Sequence, residues 1–171
     1  MSENIAQYLE KVASDVGLEV REPKNVDFDR YAECPSNRII EVTEKLMKDH
    51  NVHHLSTMIV LDLDDGYHIY YPFSIPFEEG KFWGKLIIDV KVDKDNAVID
   101  SITPILPGAV IAEREVFDMM GIKFNNHPDH RRLLTPDIMP ENIYPLRKDI
   151  SAKEIREKLA VEAEKRMAEL E

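Results

Sequence analysis

Only one cysteine, Cys34, occurs in the 171 residues, so this chain alone can build neither a disulfide framework nor a cysteine-ligated zinc or iron-sulfur site. Glycine is scarce as well. Gly17, Gly66, Gly80, Gly84, Gly108 and Gly121 are too scattered for either phosphate-cradling loop, which leaves NADH, flavin and ATP without a recognisable seat. No apolar run approaches the roughly 18 to 20 residues that span a bilayer, and the start Met1-Ser2-Glu3-Asn4 lacks a basic stretch followed by an apolar one. The sequence therefore predicts neither secretion nor a direct membrane span. Positive charge is also in deficit: the net charge of -11 argues against nonspecific nucleic-acid binding and against attraction to an anionic lipid surface. A serine nucleophile elbow is missing, and Cys34 beside Pro35 carries no local catalytic signature.

What remains is 43% hydrophobic and 32% charged, the composition of one globular domain long enough to bury its own core. Ser2 is placed to cap a first helix on which Ile5, Leu9, Val12 and Val16 recur at helical spacing, with Gly17 placed to end it. A second helix is predicted from about Ser36, with Ile39, Ile40, Thr43, Leu46 and Met47 on one side. Between the two, Glu22-Pro23 and Asp27 to Asp29 read as irregular or as a short edge strand. Leu55 to Leu63 and Tyr67 to Phe73 flank Asp64-Asp65-Gly66, a hairpin signal in which Gly supplies a positive φ. A strand with Leu86, Ile88, Val90 and Val92 on its apolar face follows, then a turn at Asp93 to Asn96 and a fourth strand at Ala97 to Ile102. The expected fold class is α+β: a mainly antiparallel four-stranded sheet with helices on one face.

A third helix is predicted between Pro107 and Gly121, with Ala109, Ala112, Val116, Met119 and Met120 as its apolar stripe. Arg114 and Asp118 lie one turn apart and are expected to pair on its surface. Glu113, Glu115 and Asp118 also admit an acid-base reading, although alternating charges on a helix more often satisfy each other or a partner. His127, Asp129 and His130 invite a metal reading, but Pro128 takes His127 out of helical geometry and His-Pro-Asp reads as a rigid turn that caps a short helix holding Arg131 to Leu134. His50, His53 and His54 form a weaker cluster of the same kind. From Gly121 to Ile150 five basic residues face four acidic ones, a net +1 that leaves -12 for the rest of the chain. A locally basic, proline-studded strip on an acidic body suits docking. Beyond it, Ser151-Ala152-Lys153-Glu154 matches a capping box and opens a helix striped by Ile155, Leu159, Ala163, Met167 and Leu170.

Three runs in this region act together: Glu113-Arg114-Glu115, Asp118, Gly121-Ile122 and Phe124; His127-Pro128 with Arg131-Arg132-Leu133-Leu134; and Pro145-Leu146-Arg147-Lys148-Asp149. They resemble the signature of the 30 kDa subunit family of respiratory complex I, the NADH-quinone oxidoreductase, whose relatives include beta-type subunits of membrane-bound, energy-converting nickel-iron hydrogenases. The resemblance implies an α+β domain over 1–121, an extended docking segment over 122–150 and an amphipathic C-terminal helix over 151–171. It implies no catalytic residue, cofactor or metal in this chain, with iron-sulfur clusters and a nickel-iron centre in partner subunits. Partner-docking roles carry over to Glu113, Arg114, Glu115, Asp118, His127, Asp129, Arg131, Arg132, Arg147, Lys148 and Asp149. The partners it implies are a large catalytic subunit of 49 kDa or hydrogenase type, iron-sulfur subunits and membrane-arm subunits, with this chain peripheral on the cytoplasmic face of the cell membrane. Ile111-Ala112 stands where quinone-linked members often carry an aromatic, and with the short chain this favours the ferredoxin-dependent, hydrogen-evolving, ion-translocating branch. A quinone-linked 30 kDa subunit and a sulfur-reducing relative stay as alternatives, as does, in another class, a small metal-dependent or acid-base enzyme built on His127, Asp129, Glu113 and Asp118.

Overall fold

The computed structural model describes residues 2–21, 29–77 and 82–168. Helix α1, Ser2–Asp15, buries Ile5, Leu9, Val12 and Ala13 along one side, with Val16 just beyond its end. Gly17 takes a φ of 74° there, and the amides of Gly17 and Leu18 donate back to the carbonyls of Ser14 and Ala13. This paired closure satisfies the orphan carbonyls of the last turn. Arg38 seals the same end by donating to the carbonyls of Val16 and Gly17.

Two short strands follow, β1 (Val20–Arg21) and β2 (Asp29–Cys34). After a 3-10 turn at Ser36–Arg38 comes helix α2, Ile39–His50, which ends at Asn51 in the left-handed conformation. Strands β3 (Ile59–Leu63), β4 (Gly66–Phe77) and β5 (Phe82–Val92) complete a sheet of order β1-β2-β5-β4-β3. The hairpin turn is Asp64-Asp65, and Gly66, with φ 149°, sits just after it rather than within it. A Cβ on Gly66 would lie 2.9 Å from the carbonyl oxygen of Val92.

The sheet corrects the expectation of four mainly antiparallel strands, since it has five strands and β2 runs parallel to β5. Residues 22–28 lie outside the described residues, but Asp29 opens a strand in the sheet interior, between β1 and β5. The expected fourth strand belongs elsewhere. Val98–Asp100 (β6) pairs in parallel with Lys123–Asn125 (β7), joined by helix α3, Val110–Met120. Parallel neighbours need such a crossover, and β6 stops where the Ile102 amide turns to the Glu113 carboxylate.

One core runs through both sheets. Tyr71, Phe73 and Ile75 from β4 and Leu86, Ile88 and Val90 from β5 share it with Ile99, Ile102, Val116, Ile122 and Phe124. No helix among the described residues is long and apolar enough to cross a membrane.

Candidate functional site: a polar lattice between helix α3 and the strip that follows

Helix α3 presents two fully buried carboxylates in the first of the three signature runs, Glu113 and Asp118, both 0% exposed. Glu113 faces the body of the domain. It accepts from the Ser101 hydroxyl at 2.6 Å and from the Ile102 amide at 2.8 Å, and Ser101 pairs with the Thr103 hydroxyl at 2.6 Å. Burial pushes the Glu113 carboxyl up to about 7, against the smaller downward pull of those two donors.

Asp118 faces the strip. Its carboxylate accepts from three successive amides, those of Leu133, Leu134 and Thr135, at 3.0, 2.7 and 2.8 Å, and from the Thr135 hydroxyl at 2.6 Å. Burial alone would raise its titration point, but these donors prevail and hold it below the ordinary carboxylate value. Arg132 adds a charge-assisted bond to Asp118 at 3.2 Å and carries the lattice onward, donating to the carbonyls of Pro140, Glu141 and Ile143.

Arg114 and Asp118 therefore do not pair with each other, as their spacing suggests, because each reaches a different part of the strip. Arg114 donates to the carbonyls of Arg131 and Arg132 and lies 3.3 Å from Asp129. Arg131 grips the same Asp129 carboxylate with two nitrogens, at 2.9 and 2.8 Å. Two guanidinium groups thus hold Asp129 well below the usual carboxylate range, the Arg131 bonds contributing most.

His127 is the hinge between domain and strip. Its Nε2 donates to the Val110 carbonyl at 3.1 Å and its Nδ1 accepts from the Asp129 amide at 3.0 Å, which fixes the neutral tautomer. Both ring nitrogens are committed, so the imidazole has no lone pair to offer a metal. Glu113 stands 3.9 Å from Nε2. His130 packs edge-on against Phe117 and His127 instead of joining Asp129 in a ligand set. His50, His53 and His54 have separate neighbours in Asp15, Asn51 and Ser74. Among the described residues no three His, Cys, Asp or Glu side chains are grouped to hold a metal ion.

The third run closes on the last turn of α3. Arg147 Nε donates to the Met120 carbonyl at 2.6 Å, and its guanidinium lies over the rings of Tyr144 and Tyr67, 4.5 and 5.4 Å from the centroids. The Lys148 amide donates to Asp62 on β3 at 2.9 Å, a contact 86 positions apart in the chain. That bond, then Lys94, holds the Asp62 carboxyl below its ordinary value. Gly121 makes the closure fit: its φ is 71°, and a Cβ there would lie 2.5 Å from the Tyr144 ring. Glu115, the Lys148 side chain and Asp149 face solvent.

Of the residues expected to dock a partner, the structure brings Glu113, Arg114, Asp118, His127, Asp129, Arg131, Arg132 and Arg147 into contacts within the chain. The receiving groups, Asp62, Ser101, Thr135 and Tyr144, carry no signal in the sequence: Asp62 and Ser101 are polar positions within expected strands, Thr135 and Tyr144 lie in the strip, where no helix forms over 131–134, and nothing local marks partners so distant in the chain. Chemically the arrangement offers buried acids already engaged with donors, no shared reactive atom, and a strip whose backbone is fixed in space.

The chain that builds this lattice has relatives among known proteins. The family model for the respiratory-chain NADH dehydrogenase 30 kDa subunit matches residues 32–156. The C subunit of NADH-quinone oxidoreductase from Moorella thermoacetica is 31% identical over 150 residues, 86% of this chain and 93% of that one. Membrane-bound hydrogenase subunit beta of Pyrococcus furiosus is 48% identical over 64 residues, 37% of each chain. Some longer curated relatives are matched over only 15% of their length. A chain in the solved structure of a membrane-bound sulfane sulfur reductase, an archaeal respiratory membrane complex, shares the fold with a TM-score of 0.63 at 19% identity, over 88% of this chain and 85% of that one. The chain belongs to the family of the 30 kDa subunit of respiratory-chain NADH dehydrogenase.

Proposed function

We propose that this chain is a cofactor-free structural subunit in the peripheral arm of a membrane-bound, complex I-related redox assembly, docked on the large catalytic subunit at the cytoplasmic face. The observation that carries the proposal is the family match over residues 32–156, a span that includes the whole lattice joining α3 to the strip. A strip held by buried carboxylates, not by packing alone, is suited to present a fixed surface to another chain. The electron carriers then reside in the partners: iron-sulfur clusters and a nickel-iron centre.

The branch we favour is a ferredoxin-dependent, hydrogen-evolving, ion-translocating hydrogenase, supported by the 48% identity with the Pyrococcus hydrogenase subunit. A quinone-linked 30 kDa subunit is the second reading, favoured by the match along nearly all of the Moorella protein. Tagging the chain in its native host, solubilising membranes gently and identifying copurifying proteins by mass spectrometry tests the assembly role. The expected result is a stoichiometric large subunit with iron-sulfur and membrane-arm chains. Nickel in that complex would select the hydrogenase branch. Recovery of the chain alone, with its own metal or turnover, would overturn the structural role.

A further inference from the structure

We propose that Leu134 and Leu146 form a paired anchor that enters apolar sockets on the large subunit, an inference that rests on the docking role proposed above. They are 61% and 63% exposed, the two large apolar side chains of the strip that face solvent among its described residues. Both are held by their own amides to consecutive residues of α3: Leu134 donates to the Asp118 carboxylate at 2.7 Å and Leu146 to the Met119 carbonyl at 3.1 Å.

The backbone on either side is fixed as well. The amides of Leu133 and Thr135 share Asp118 with Leu134, while Arg147 and Lys148 are tied to Met120 and Asp62 beyond Leu146. Folding has thus already ordered the strip, and a rigid pair of anchors loses little entropy on binding. Exposed leucines on a mobile loop would not have this advantage.

Charge identifies the occupant as another polypeptide. Arg114 and Arg131 share the one carboxylate of Asp129, so these three groups, at the start of the run that leads to Leu134, sum to one positive charge. The socket for Leu134 is accordingly bordered by a carboxylate. An anionic lipid surface, or a second copy of the chain, would meet the repulsion of a net charge of -11.

The test compares the tagged wild-type chain in its host with the double variant Leu134→Ser/Leu146→Ser, the double variant Leu134→Met/Leu146→Met, and Ile59→Ser. Ile59 is a control, 50% exposed on β3 and outside the strip. The serine pair should lower recovery of the large subunit about tenfold or more, while the methionine pair and Ile59→Ser keep it near wild type. Thermal unfolding of each purified chain should stay at the wild-type midpoint, because both leucines are solvent-exposed. Undiminished recovery with the serine pair overturns the anchor while leaving the docking role intact, and so does an equal loss with Ile59→Ser. A wild-type chain that brings down no large subunit overturns the docking role itself. Wild-type self-association dispersed by the serine pair, or leucine-dependent binding to phosphatidylglycerol vesicles, would assign the leucines to the wrong partner and overturn the inference.

Discussion

Glu113 is buried for a structural purpose, and its protonation makes that purpose depend on pH. Its ordinary value of 4.5 applies to the unfolded chain, and burial raises the folded value to about 7. Between those values the folded state binds the extra proton, so this group's stabilising contribution is complete below about pH 4.5 and is lost as pH rises through 7. A shift of that size corresponds to roughly 3 kcal/mol. Glu113→Gln removes the titration while keeping an acceptor for the Ile102 amide, and the Ser101–Thr103 hydroxyl pair can turn to accept from the Gln amide. Urea unfolding at pH 5 and pH 8 should show the variant gaining about 2.5 kcal/mol on wild type across that interval. Two curves that stay parallel would refute the account.

Asp118 behaves in the opposite sense. Its carboxyl is held low in the folded state, so its contribution is present above the ordinary value of 3.8 and fades in acid. Asp118→Ala would strand three amides and the Arg132 guanidinium, and we expect a loss of about 3 kcal/mol in urea unfolding at neutral pH. A cost within a few tenths of a kcal/mol would mean that water replaces the carboxylate without penalty. Five residues of α-helix amount to about 140° of rotation, so the sequence already separates the two acids onto different faces, but it gives no hint of what each face meets. Their partners follow from the seating of α3 between the end of β6 and the strip, a tertiary fact that helical periodicity does not encode.

At the scale of elements, helix termini were the most legible. Gly17 and Gly121 close α1 and α3 in the left-handed conformation their positions suggest, because capping is a local problem with a local solution. The parallel seat of β2 was not legible: Asp29-Arg30-Tyr31-Ala32-Glu33-Cys34 carries three charged residues and no β-branched one, and its place in the sheet comes from pairing with β1 and β5. Gly121→Ala should be more disruptive than a lost cap. It strains a φ of 71° and drives a methyl group into Tyr144, and we expect a loss above about 1 kcal/mol. Amide exchange should quicken at residues 144–148 before it does in the sheet. Protection unchanged there would show that Tyr144 and Arg147 reseat without cost.

Helix α4, Ala152–Ala168, behaves differently. Its capping box forms as the sequence indicates, with the Ser151 amide and hydroxyl donating to Glu154 at 2.8 and 2.7 Å. None of its described residues is buried, and Arg166 touches the strip through the carbonyl of Asp137. Leu170, the last residue of its expected stripe, lies outside the described residues. With so little tertiary support, the cap matters more than usual. Ser151→Ala should remove about 1 kcal/mol of helix stability, visible as reduced ellipticity at 222 nm with the main unfolding transition unmoved. A shift of that transition would show that the helix packs more firmly than its exposure indicates.

Across the whole molecule, one continuous core joins α1 to Phe124, and the strip adds Met139 and Ile143 to the buried set. Residues 2–150 should therefore unfold in a single step, with tyrosine fluorescence and far-ultraviolet ellipticity coinciding once the α4 contribution is removed. Separate transitions for sheet and strip would divide the domain. The α+β class was readable from element order, but strand order was not, because a crossover pairing depends on contacts between distant residues.

The bonds from Asp118 and Met119 to Leu134 and Leu146 have one more consequence. The outer surface of the strip is held in place by α3, so a nascent chain presents that surface only once α3 has formed. On the docking role proposed above, assembly proofreads its components: Asp118→Ala chains, sampled early after synthesis, should be recovered with less of the proposed large subunit than wild type even while their sheets are intact.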